Sequence, residues 1–160
     1  MPTENIMVRD ALIELLRGGS AHVDLNTALD NFPAHLYGTK PPGAPHSAWQ
    51  LLEHIRIAFH DLFDFSTNPD YIAPRWPEEY WPENDAPNSS EEWEKSVRAI
   101  QEDLTEFEKL IRDPQSNLYA AFPWGQGQTL LREVLLAGDH NAYHVAQIVL
   151  LRQQLGAWKS

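Results

Sequence analysis

Apolar residues fall along this chain in four blocks of helical period, separated by stretches rich in proline and glycine. The first block covers about residues 4–17. Ile6, Leu12, Ile13, Leu15 and Leu16 give it an apolar side, and Gly18-Gly19-Ser20 stops it. A short amphipathic piece follows from Asp24, a plausible N-cap, to about Asn31. The second block opens at Ser47, where Ser47 and Gln50 form the S-x-x-Q pattern of a capping box. Leu51, Leu52, Ile55, Ala58, Phe59, Leu62, Phe63 and Phe65 then keep helical spacing to about Ser66. In the third block, residues 90–112, Trp93, Val97, Ile100, Leu104, Phe107 and Ile111 step by alternate fours and threes, the narrow seam of a bundle helix. Asp113-Pro114 ends it. The fourth runs from Gln128 or Thr129 to about Leu155, with Gly156 at the position after its C-cap. It is apolar over most of its circumference, which predicts a central, buried helix.

No strand-like alternation of useful length and no internal repeat interrupts this pattern. The expected fold is therefore all-α, a four-helix bundle formed as a single domain over residues 1–160. Long connections between the later helices leave room for crossovers instead of a simple up-down order. One of them, residues 68–88, contains five prolines and the aromatics Tyr71, Trp76, Tyr80 and Trp81. So long a loop in a small domain is functional or packed over something, and its aromatics favour packing over disorder.

Charge and composition narrow the function. The formal net charge is −11, which disfavours phosphate backbones and anionic lipid, so no nucleic-acid or membrane partner is expected. Residues 78–109 hold 11 acidic and three basic side chains and carry most of that charge, as a solvated face would. No apolar run approaches the ~20 residues that span a bilayer. Met1-Pro2-Thr3-Glu4-Asn5 shows no basic segment leading into an apolar one, so no secretory leader is expected. Cysteine is absent. That excludes disulfides, a cysteine nucleophile, iron–sulfur clusters and thiolate zinc sites, and fits a cytoplasmic setting. It leaves the seven histidines as the best soft ligands.

His140 and His144 lie four apart on the fourth helix, so both imidazoles share one face and are close enough to share one metal. The same spacing also serves a hydrogen-bonded structural pair. Asn141 follows His140 where a zincin protease has glutamate, so that mechanism lacks its base. On the second helix His54 lies with Ser47, Leu51, Ala58, Leu62 and Phe65 on the core-facing side, where an ionisable ring needs a partner. His60, six residues on, points about 120° away and is expected at the surface, as are His22, His35 and His46 in or near loops. Three neutral imidazoles from two helices suit Zn, Ni, Fe or Co and leave coordination positions open for water or substrate. Glu133 and Gln147, seven residues either side of His140, share its face to within about 20°. Either could approach substrate or water, which makes Glu133 the candidate catalytic base. Asp139 and Glu53 each precede a proposed ligand and could orient an imidazole of a neighbouring helix.

Two segments, Ser47-Ala48-Trp49-Gln50-Leu51-Leu52-Glu53-His54-Ile55 and Gly138-Asp139-His140-Asn141-Ala142-Tyr143-His144-Val145-Ala146-Gln147-Ile148, are separated by the Trp/Pro-rich connection. Together they resemble the DinB-like (YfiT-like) superfamily, helical bundles unrelated to the DNA polymerase of similar name. The resemblance implies an up-down-down-up four-helix bundle that binds a divalent metal through His54, His140 and His144. It also implies a homodimer. Characterised relatives include S-transferases that use low-molecular-weight thiols and a thiol-dependent maleylpyruvate isomerase. The expected function is therefore a metal-dependent S-transferase, in which the metal activates a low-molecular-weight thiol towards a small-molecule electrophile. Two alternatives stand beside it. One is a metal-dependent hydrolase with Glu133 as base. The other is a non-enzymatic bundle that binds a ligand or partner and keeps its buried histidines for structure.

Overall fold

Each long helix begins where a side chain can satisfy its free backbone N–H groups. Ser47 accepts from the Gln50 N–H while the Gln50 side chain accepts from the Ser47 N–H, so the capping box is complete. Ser89 and Thr129 accept from the N–H groups of Glu92 and Arg132 in the same way, and Asp24 from that of Thr27. The computed structural model describes residues 2–158. It places α1 at Pro2–Arg17, a short α2 at Leu25–Leu29, α3 at Ala48–Thr67, α4 at Ser90–Arg112 and α5 at Leu130–Gln154, with two single 3₁₀ turns in the connections. At the end of α5, Gly156 takes φ +67°, the left-handed conformation that closes a helix C-terminus with least strain when the residue is glycine.

Cross-helix contacts fix the direction of each element. Near the start of α3 the Trp49 N–H donates to the Tyr37 carbonyl, and the Tyr37 ring stacks on Trp93 at the start of α4, 3.9 Å between centroids. Later in both helices Phe59 and Phe63 pack on Phe107. Early meets early and late meets late, so α3 and α4 run parallel. Trp124, just ahead of α5, donates its indole N–H to the Phe65 carbonyl near the end of α3, so α5 returns antiparallel to α3. In α1, Arg9 reaches the carbonyls of Ile111 and Asp113, while Arg17, two turns later, pairs with the earlier Glu108 of α4. That makes α1 antiparallel to α4. The order is up-down-down-up, with α3 and α5 adjacent.

The core is the shared apolar face of these helices. Trp93, Phe59, Phe107, Leu52, Ile55, Ile111 and Ile148 are all but sealed from solvent. Truncating one of the aromatics to alanine is expected to cost about 3–5 kcal/mol. Gly138 allows α1 to approach α5 closely, since a Cβ there would lie 2.5 Å from Leu15 Cγ.

The expectation of a central, buried α5 is corrected in part. Leu135, Leu136, Tyr143 and Leu150 are exposed, because α5 packs mainly against α1, α2 and α3 and leaves part of its circumference to solvent. No helix of the described residues is long and apolar enough to cross a membrane. The 68–88 segment packs back on the bundle. The Tyr71 and Tyr80 hydroxyls both donate to Asp61, at 2.7 and 2.6 Å, and Trp81 lies against His54.

Candidate metal centre

The antiparallel α3/α5 seam brings His54 opposite His140 and His144. Their ring nitrogens converge so that one from each residue lies within 4.8 Å of the others, a group that could hold a metal ion. His54 and His144 are buried, and His140 is half-buried. Gathering three imidazoles inside a bundle sacrifices apolar packing, so what their nitrogens contact decides what the cluster is for.

Two of the rings are oriented by acceptors. His54 Nδ1 lies 2.8 Å from the Tyr80 carbonyl, which can only accept, so Nδ1 carries the proton and Nε2 a lone pair. His144 Nδ1 lies 2.7 Å from Gln147 Oε1, which likewise leaves its Nε2 unprotonated. This is the outer-ligand arrangement that fixes imidazole tautomers at metal sites. His140 presents its Nε2 to His54 Nε2 at 3.0 Å. A lone pair on each cannot face the other at that distance without a proton or a cation between them. Two ligands of a tetrahedral ion at ~2.05 Å stand about 3.3 Å apart. His140 Nδ1 and the neighbouring Asn141 Oδ1 are buried and make no hydrogen bond. The donor set therefore fits a divalent ion: neutral imidazoles, two with a fixed tautomer, and an incompletely satisfied third.

The electrostatics agree. Burial is the main cause that pushes all three imidazoles below the ordinary histidine pKa. For His144, mutual repulsion with His140, His54 and His46 adds to burial, against the Gln147 hydrogen bond, and the value falls to about 4. His54 is lowered by burial and by His46, against the Tyr80 carbonyl. His140 is lowered by burial and by His54, against Asp139. The rings are thus neutral ligands at physiological pH.

Trp81 stacks on His54 almost face to face, 3.9 Å between centroids and 2° from parallel, and His46 stacks on the same indole at 4.0 Å. Both line a cavity of about 770 Å³ that reaches the triad. Its other walls include Pro45, Asp61, Trp76, Tyr80, Leu136 and Tyr143.

The remaining sequence candidates separate. Gln147 holds His144, as its place one turn away allowed. Asp139 lines the cavity. Glu53 is buried but engaged by Arg56 at 2.8 Å, and among the described residues it forms no hydrogen bond with an imidazole. Glu133 is buried and paired with Arg132 at 2.7 Å. It lines a neighbouring cavity of about 490 Å³ that shares Asp61 and Leu62 with the first. His60 is exposed and paired with Asp103, and His22 and His35 are exposed. His46, expected at the surface, instead belongs to the site. Asp61 and the Tyr80 carbonyl escaped the sequence reading as well. Asp61 stands seven residues after His54, so the face arithmetic that singled out Glu133 and Gln147 would have found it.

The fold and the cluster together define an all-α bundle with a three-histidine group on adjacent antiparallel helices. A family model of the DinB superfamily matches residues 20–148, most of the chain, and the protein belongs to that superfamily. No curated protein and no solved structure matches the chain.

Proposed function

We propose that His54, His140 and His144 hold a divalent metal ion and that the protein is a transferase acting on a low-molecular-weight thiol. The observation that carries the reading is the convergence of the three imidazoles, with the Nδ1 protons of His54 and His144 held by the Tyr80 carbonyl and the Gln147 amide, beside a cavity large enough for a small substrate. The ion would supply a Lewis acid that lowers the pKa of a bound thiol and favours the nucleophilic thiolate. The chain's own contribution is orientation and shielding. Tyr80 and Gln147 keep the protons of His54 and His144 on Nδ1, and the Trp81 ring covers His54 and keeps bulk water off that face. The absence of cysteine leaves no protein thiol to compete with the substrate.

The hydrolytic alternative calls for a base beside the triad. Glu133, the residue nominated for it, is ion-paired to Arg132 and opens on the adjacent cavity. The thiol reading needs no such base. The setting that goes with it is cytoplasmic. The assembly is a homodimer, for which exposed Leu135 and Leu150 on α5 offer apolar surface. Light scattering that gives the mass of one chain at every concentration would overturn the dimer.

The decisive experiment measures metal in protein purified without added metal, together with turnover of thiol-plus-electrophile mixtures and of simple esters. Near-stoichiometric metal that is lost in H54A, H140A and H144A, with turnover that requires thiol, is the expected result. Turnover without thiol would move the assignment to hydrolysis. Metal below about 0.2 per chain, unchanged across the three variants, would overturn the metal site itself.

A further inference from the structure

The walls of the cavity at the triad have a composition of their own. Trp76, Tyr80, Trp81 and Tyr143 supply aromatic surface, Asp61 and Asp139 supply carboxyl groups, and among the described residues no Lys or Arg lines it. Trp76 is 69% exposed and Tyr143 64%, so these rings border the cavity where it opens to solvent. Large apolar rings left so open at a cavity mouth point to a ligand that covers them. Trp76 meets Tyr80 at 5.3 Å and 60°, and the Tyr80 hydroxyl is tied to Asp61, so the second ring is held in place.

Aromatic faces carry negative charge density and attract cations, and a carboxylate nearby adds to the attraction. An anionic group in the same place would meet two carboxyl groups and no lysine or arginine. The field of the chain as a whole, net −11, also gathers cations. We propose that the outer part of this cavity is a subsite for an organic cation. It takes the amine or quaternary ammonium group of a small substrate or co-substrate, held against Trp76, Tyr80 and Tyr143 beside Asp61 and Asp139. This rests on the reading above in that the triad and the subsite share one cavity. A metal ion at the triad is itself positive, so the ligand is two-ended: a neutral or anionic donor faces the histidines and the cation lies away from them.

The test compares choline with 3,3-dimethylbutan-1-ol, which has the same shape and hydroxyl but no charge. Each is titrated by calorimetry into the protein as purified and into the metal-loaded protein. Choline is expected to bind about tenfold tighter than the alcohol, and only choline should weaken as salt is raised. W76A and D139N change exposed side chains that the core does not need, and each should cut the preference at least about threefold with the helical circular dichroism unchanged. Equal binding of the two probes, tighter binding of the alcohol, or no saturable choline binding overturns the proposal. Metal content, measured on the same samples, reports on the triad separately. A choline preference without metal removes the metal reading and leaves the subsite. Stoichiometric metal without a choline preference does the reverse.

Discussion

Two buried polar sites in this bundle are built on opposite plans. At the end of α4 the guanidinium of Arg9 donates to the carbonyls of Ile111, Asp113 and Ser116, and to the Asn5 side chain. A permanent cation there meets the negative end of the α4 dipole and the carbonyls that a helix C-terminus leaves unpaired. In the α3/α5 seam the three imidazoles are given fewer partners than they can use. The Tyr80 carbonyl and the Gln147 amide oxygen each accept one N–H, and the Nε2 atoms of His54 and His140 are left to face one another. The Arg9 guanidinium is satisfied by the fold through all three of its nitrogens. The three imidazoles are held in place but left short of a partner, as a group that could hold an ion would be, and the difference can be read from the contacts of each nitrogen.

Substitutions should expose that difference. The largest effect is expected at the triad: H140A should lower metal affinity by more than about 100-fold, checked by competition with a chelator. With no metal bound, its unfolding free energy should stay within about 2 kcal/mol of the parent, because the ring it removes lacks a satisfied Nδ1. R9M should behave in the opposite way. It strips several carbonyls of their donor and should cost about 3 kcal/mol in denaturant unfolding, with metal content unchanged. Comparable losses of stability in the two variants would erase the contrast.

Q147L should weaken metal binding about 10-fold, with little change in the stability of the metal-free protein. Acid should act on the triad as well. Its histidines have native pKa values below the unfolded value of about 6.5, so the unfolded chain binds more protons below that pH. Stability of the metal-free protein is therefore full above about pH 6.5. It falls as pH drops through the window that reaches about 4, the value for His144, with a slope of at most about 1.4 kcal/mol per pH unit for each proton taken up. Urea midpoints across that range check the sign, and the slope should flatten in H144A. The smallest effect is expected at H60A. That ring is 61% exposed and paired only with Asp103, so its removal should change stability by less than about 0.5 kcal/mol.

Much of this molecule could be read along the chain, because the signals involved are local. Ser47 with Gln50, the seam from Trp93 to Ile111 and the stop at Gly156 each depend on neighbours within a turn or two, and all three appear in the structure. The pair His140 and His144 was legible for the same reason, and His54 followed from the face of α3 it occupies. Glu53 shows the limit of that arithmetic. Its place beside His54 suggested an orienting role, but Arg56, three residues on, was nearer and of opposite charge.

The sequence alone determined where helices begin and end, which faces are apolar, and that histidine is the best soft ligand available to a chain without cysteine. Those properties follow from backbone periodicity and side-chain chemistry, which do not depend on distant residues. Tertiary structure alone decided that α3 and α5 run antiparallel in contact, which sets His54 against His140. It decided too that the 68–88 segment folds back to put the Tyr80 carbonyl, Trp81 and the two tyrosine hydroxyls around the site. The contact between His54 and Tyr80 spans 26 positions, and that between His54 and His140 spans 86. Pairings at such separations are chosen by how the whole core closes, and no local pattern carries them.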